Sequence, residues 1–231
     1  MDALWAHTQI AALHERWDLR FSRIEYLPKS HADHAQRFRY STRIGFGYAV
    51  SGEGETVGER ALADGCRSSA LRFGSREPLS IIREGCGYWK YMPTSDGIRF
   101  LTRYDYQTRF GVAGTIFDRM IFRPLIAWAT AWSFDRLRLW LEQHVDPAHA
   151  MRQTLVHIIA RLALATIFAY HGIVPKLVNR HADEMAMLAD AGVAGRLRDV
   201  TLTGLAISET AFAAALLVAG IDRGRPYCAL R

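Results

Sequence analysis

The chain of 231 residues is half hydrophobic and carries a formal net charge of +6, a length and composition that fit one large or two small domains with a real core. Its arginines stand singly, as at Arg16, Arg20, Arg23, Arg37, Arg39 and Arg43. The basic excess therefore reads as a solvated or membrane-facing surface and argues against a nucleic-acid patch. The three cysteines, Cys66, Cys86 and Cys228, form no CxxC or Cys/His metal spacing and are too few and too far apart for a disulfide framework. A reducing compartment fits them best. The N-terminal stretch MDALWAHTQIAALHERW has an early Asp and no uninterrupted apolar core. It predicts an amphipathic helix over 3–17, with Leu4, Ile10, Ala11, Leu13 and Trp17 on its apolar side, and not a signal peptide. The soluble part is then expected in the cytoplasm.

From about 20 to 110 the pattern changes to period two. Phe21, Ile24 and Tyr26 begin it, and RFRYSTRIGFGYAV (37–50) continues it up to the turn cluster SGEGET (51–56). Further strand candidates are 68–74, 79–85, 87–94 and 97–109, with an Asp96-Gly97 hairpin signature between the last two. Short turns without intervening helices predict an antiparallel meander. A long helical pattern follows from about Ala113 to Gln143, with Pro124 expected to kink or break it. Beyond the proline, Leu125, Trp128, Ala129, Trp132, Leu137 and Leu141 are expected on one apolar side, with Asp135, Arg136 and Arg138 outward. Helix, antiparallel sheet and long C-terminal helix make an α+β helix-grip outline over 1–148. That geometry predicts an apolar cavity between sheet and helix, with Trp89, Tyr91, Phe100, Tyr104, Trp128 and Trp132 as its candidate lining.

Residues 149–231 differ in character. After a polar linker at 144–152, two apolar stretches, 154–175 and 200–220, are each long enough to cross a bilayer core of about 30 Å. The second is rich in the small residues that let membrane helices approach closely. Neither stretch is uniformly apolar. His157, Arg161 and His171 fall near one direction of the first, Pro175 and Lys176 close it, and Glu209 lies mid-span in the second. An ionisable group at that depth demands a partner. The sequence therefore predicts an intramembrane polar cluster of His157, Arg161, His171, Lys176 and Glu209, with Glu209 paired to Arg161 or His171. Such a cluster can lock two helices or serve a proton or quinone site.

The soluble part offers no nucleophile constellation. GFGYAVSGEG ends a strand and does not open a helix, which argues against a phosphate loop. His7, His14, His31 and His34 cluster early, and HADH (31–34) reads as surface and not as a metal site.

The stretch HGIVPKL (171–177), followed by Glu184, Met187, Leu188, Gly204 and Glu209, resembles the DoxX-like membrane family over about 150–220. The resemblance implies a bundle of four membrane helices, in a family whose namesake is similar to a thiosulfate:quinone oxidoreductase subunit. With two spans here, the expectation is a half-bundle completed by a second copy or by a partner membrane subunit. SALRFGS, GYWKYMPTSDGIRFLTRYDY and WATAWSFDRLRLWLE resemble START/Bet v 1-type domains of the polyketide cyclase and lipid-transfer superfamily. That resemblance implies binding of a lipid or isoprenoid-like molecule, with no assigned chemistry. Together these imply a bacterial inner-membrane protein, its partners being membrane lipid and a hydrophobic small molecule, with no nucleic acid. Metal and cofactor are expected to be none, and quinone enters only under an oxidoreductase reading. Arginines before the first span, and Arg223, Arg225 and Arg231 after the second, place both ends on the cytoplasmic side.

Overall fold

The structure, a computed structural model, describes all residues except 30, 32, 33, 46 and 224–231, and describes 219–223 by their helical backbone alone. Asp33, Arg225, Cys228 and Arg231, and the side chain of Arg223, therefore lie outside the described residues. The described chain falls into two compact units, 1–150 and from Met151 onwards.

The first unit is α+β. Helices α1 (Asp2–Gln9) and α2 (Ala11–Trp17) precede six strands: β1 (Arg23–Tyr26), β2 (Arg37–Gly45), β3 (Tyr48–Ala61), β4 (Arg67–Gly74), β5 (Ile82–Thr94) and β6 (Gly97–Thr108). The strands form one antiparallel sheet in sequence order. Asp96-Gly97 makes the β5–β6 turn, where Gly97 takes a φ of 149° that other residues rarely adopt. The expected single first helix is broken at Ile10, which is extended and half exposed. The break lets α2 fold back on α1, and the Trp17 indole donates to the His7 carbonyl at 2.8 Å. The SGEGET stretch, expected as a turn, lies inside β3. Its glycines are under aromatic rings: the Tyr40 and Phe38 side chains lie across Gly52 and Gly54, where a Cβ would collide with them. Rings on β2 thus supply the packing that β3 lacks.

Leu4, Trp17, Trp89, Tyr91, Phe100 and Leu137 form the core. Phe100 stacks on Tyr91 at 4.9 Å and on Phe134 at 4.8 Å. Beside them Asp18 is fully buried and paired. It accepts from Arg20 Nη2 at 2.6 Å, from Arg20 Nε at 2.9 Å and from His14 Nε2 at 2.9 Å. Burial pushes its carboxyl upward, but the Arg20 charge and hydrogen bonds, with those of His14, outweigh that and hold it far below the usual carboxylate range.

A continuous helix follows: α3 (Gly111–Phe117), a π-helical turn (Asp118–Phe122) and α4 (Arg123–Gln143). Pro124 does not break it. The π turn directly precedes the proline, and the Arg123 N–H reaches back five residues to the Asp118 carbonyl. The face of α4 that the core buries matches the expected one only at Leu137 and Leu141, while Leu125 and Trp128 are exposed. Thr130, Ala131, Ser133 and Leu137 are buried, with Phe134 and Leu141 packed on the core. Arg136, expected outward, is buried because its guanidinium donates to the Arg16 carbonyl at 2.8 Å and to the Pro147 carbonyl at 3.1 Å.

The expected polar linker is only residues 144–146. Asp146 caps the next helix by accepting from the Ala148 N–H at 2.9 Å. The second unit contains α5 (Pro147–His171), whose first residues belong to the first unit, a π-helical segment (Gly172–Val178), α6 (Ala182–Asp190) and α7 (Arg196–Arg223). Two stretches, Pro147–Val178 and Arg196–Val218, are long and apolar enough to cross a membrane.

Because the folded carboxyl of Asp18 is depressed, its stabilisation is complete above the ordinary carboxylate value of about 4 and is lost as pH falls below it. Asp18→Asn leaves Arg20 buried without its countercharge and should cost about 3–5 kcal/mol at neutral pH. Tryptophan-monitored unfolding should show this gap between wild type and variant narrowing as the pH is lowered below about 4.

Candidate functional site

The cross-strand register places Phe38, Tyr40, Leu71, Phe73, Trp89, Tyr91, Phe100, Tyr104 and Tyr106 on one face of the sheet, with Gly52, Gly54, Gly85 and Gly87 between them. The two halves of that face differ. Trp89, Tyr91 and Phe100, expected to line a cavity, are instead packed into the core against Leu4, Trp17 and Leu137. Tyr91 also accepts or donates a 2.7 Å hydrogen bond with Thr8, and burial pushes its phenol up to about 12. Side chains therefore fill that half.

The other half holds Phe38, Tyr40, Leu71, Phe73, Tyr104 and Tyr106, all only half-buried. Gly85 and Gly87 leave room beneath the Phe73 ring and beside Tyr104. Tyr104 and Tyr106 stack at 6.1 Å. The π turn crosses the rim here. Tyr106 donates to Asp118 at 2.5 Å, Phe122 meets its ring edge-on, and Arg123 pairs with Asp118 at 2.9 Å. Burial, with the Asp118 hydrogen bond, pushes the Tyr106 phenol up to about 12. This half is a shallow trough of half-buried aromatic rings lying over glycines, with one polar cluster at its rim. Of the expected lining, Tyr104 alone belongs to it. Trp128 and Trp132 do not. At about 100° per residue they lie on the side of α4 away from the buried face. Their rings touch each other at 4.8 Å, and Trp128 is 44% exposed.

The second unit holds a separate polar cluster. Lys176, 6% exposed, donates from Nζ to Glu209 at 2.8 and 3.1 Å and to the His171 carbonyl at 3.3 Å, and faces Glu184 at 3.5 Å. Gly172 makes the approach possible, since a Cβ there would stand 2.6 Å from Thr210 Oγ1 and 2.8 Å from the Ala206 carbonyl. Phe168 and Phe212 close the same interface edge-to-face at 4.8 Å. The partner of Glu209 is thus Lys176 and not Arg161 or His171. The π-helical segment adds a residue to the turn and brings Lys176 round to α7. Arg161 lies eleven residues before Gly172, about 16 Å along the helix. Arg161 and His157 have no hydrogen bond or ion pair among the described residues, and the His171 ring meets Tyr170.

Among the described residues no three His, Cys, Asp or Glu side chains come together as a metal site. His31 and His34 touch ring to ring, and His14 is taken up by Asp18.

Residues 165–224 match the model of the DoxX-like family. The matched segment contains Lys176, Glu184 and Glu209. Over 173 residues the chain is 49% identical to a Bacillus subtilis (strain 168) protein named uncharacterized membrane protein YndG. The alignment takes in 74% of this chain and spans 64% of that relative's length. Among solved structures, TTHA0849 from Thermus thermophilus is 16% identical, with a TM-score of 0.39 over 56% of this chain and 80% of that one. The di-domain ARO/CYC StfQ from the steffimycin biosynthetic pathway is 17% identical, with a TM-score of 0.37 over 59% and 48%. Neither likeness is close enough to carry a fold or a function.

Breaking the buried pair through Lys176→Met or Glu209→Gln should each lower stability by about 3–5 kcal/mol, whereas the double change Lys176→Met/Glu209→Met should recover most of it. Thermal unfolding of the detergent-solubilised chain checks this. A double variant no more stable than either single one would show that the pair does more than join two helices.

Proposed function

We propose that this is a membrane-anchored protein that binds a hydrophobic molecule, of lipid or isoprenoid type, in a helix-grip domain beside the bilayer. The observation that carries the reading is the division of the sheet's inner face. One half is a packed core and the other a half-buried trough of Phe38, Tyr40, Leu71, Phe73, Tyr104 and Tyr106 over glycine. A soluble domain rarely leaves six large side chains half-covered on its inner face without an occupant. The Tyr106–Asp118–Arg123 cluster at the rim would meet the polar end of such a molecule.

The DoxX-like segment serves as the anchor. Two apolar helices, the match over 165–224 and a relative named as a membrane protein support that role. The Lys176–Glu209 pair holds the two helices in register. The remaining apolar surface of α5 and α7, such as Ile159, Ile167 and Ile207, fits lipid or a second copy or partner subunit that completes a bundle. The arginine bias supports a position for the first unit on the cytoplasmic side of a bacterial inner membrane.

Native mass spectrometry of the full chain, stripped of loose lipid, should find one apolar molecule per chain. Phe73→Arg puts a charge into the trough and should weaken retention by at least about tenfold, or about 1.4 kcal/mol. Retention equal to wild type in a folded Phe73→Arg protein would overturn the trough as the binding site.

A further inference from the structure

The helix running from Gly111 to Gln143 carries a second apolar surface that the core does not use. Within α4, Leu125, Trp128 and Trp132 recur at spacings of three and four, which on an α-helix is one stripe, and Ile121 of the π turn before them is also exposed. Val112 and Met120 extend the exposed surface toward the start of the helix, at 78% and 71% exposure. Leu125 is 55% exposed, though the same helix buries Leu137 to 2%. Arg119 is exposed on this segment, while Arg123 is paired with Asp118. Such an uncovered stripe with tryptophan and flanking arginine has the composition of an interfacial helix.

We infer that this face is a membrane-docking surface whose occupant is the headgroup boundary of an anionic bilayer. Three observations commit it to lipid. Trp128 and Trp132 form a touching pair on the exposed side, where an indole gains from a boundary that is apolar on one side and wet on the other. Arg119 supplies a positive charge for anionic headgroups. Only residues 144–146 separate α4 from α5, which opens the stretch read as the first span. The first unit is therefore joined within three residues to the stretch read as spanning the bilayer. Docking would bring the rim formed by Asp118 and Phe122 to the lipid, the source of an apolar ligand. The inference rests on the membrane reading of the second unit and not on occupancy of the trough.

The test uses the full chain with Cys66, Cys86 and Cys228 changed to Ser. A spin label is placed by Leu125→Cys, or as a control by Glu53→Cys on the exposed β3, in nanodiscs of mixed phosphatidylcholine and phosphatidylglycerol. The Leu125 label should show an oxygen-over-nickel-chelate accessibility shifted from the Glu53 value toward that of a spin-labelled lipid. Adding Arg119→Glu should return it part of the way. A Leu125 label matching the Glu53 label overturns the proposal. Dipolar broadening removed by diluting with unlabelled chain would assign the face to a second copy and overturn it equally. Failure of the chain to enter nanodiscs would overturn the membrane reading and this inference with it.

Discussion

A proline within a helix lacks one N–H and presses its ring against the carbonyl four residues back, at a cost of about 3 kcal/mol in a regular α-helix. This chain meets that constraint twice and answers it the same way. Pro124 follows a π-helical turn at Asp118–Phe122, and Pro175 lies inside one at Gly172–Val178. In both, hydrogen bonds reach back five residues, as from Arg123 to Asp118 and from Asn179 to Val174. The helix continues, but every residue beyond is rotated from its α-helical position. Each rotation sets a site. The first places Asp118 under Tyr106 at the trough rim, and α4 then packs through Phe134 and Leu137 with its tryptophans outward. The second turns Lys176 onto Glu209.

The same constraint marks where the sequence stops being legible. The antiparallel meander, the Asp96-Gly97 hairpin and two long apolar helices follow from local patterning, and the structure has all of them. The side of α4 that faces the core follows only in part: Leu137 and Leu141 pack inward, but Leu125, Trp128 and Trp132 lie on the opposite side of the same regular helix. Leu125, Trp128 and Trp132 look like a core stripe by periodicity alone. The core is decided instead by Arg136, which satisfies two carbonyls of neighbouring segments and drags its own side of the helix inward. Long-range hydrogen bonding of that kind leaves no periodic trace. Glu209 is similarly visible as a mid-span charge, yet its partner depends on the widened turn after Gly172. Lys176 stands in the same HGIVPKL stretch but, after a proline, reads as the end of the helix.

The sheet shows how one face can do two jobs. Core formation demands close packing, and Trp89, Tyr91 and Phe100 supply it against the paired helices at one end. At the other end the chain places glycines where side chains would fill the space, and covers them with rings from adjacent strands. A ring over glycine protects the backbone hydrogen bonds of the sheet while leaving its own outer surface available. The Asp18–Arg20–His14 network fastens α2 beneath the packed end, and Phe21 beside it meets Tyr40 edge-on at 5.7 Å.

Charge placement follows a similar logic in the second unit. An isolated lysine in a lipid-embedded helix is expensive, and an isolated glutamate likewise. Their pairing at 2.8 Å, with Glu184 at 3.5 Å, puts the ion pairs of Lys176 next to the tightest helix crossing, where Gly172 meets Ala206 and Thr210. Small residues alone would allow α5 and α7 to slide by a turn, since alanine and glycine offer little to fix register. A buried pair cannot slide without separating its charges. The cluster thus specifies one alignment of the two helices, much as a single polar residue fixes register in a coiled coil. Surface such as Ile159, Ile167 and Ile207 remains apolar and uncommitted, which suits it to lipid or to further helices.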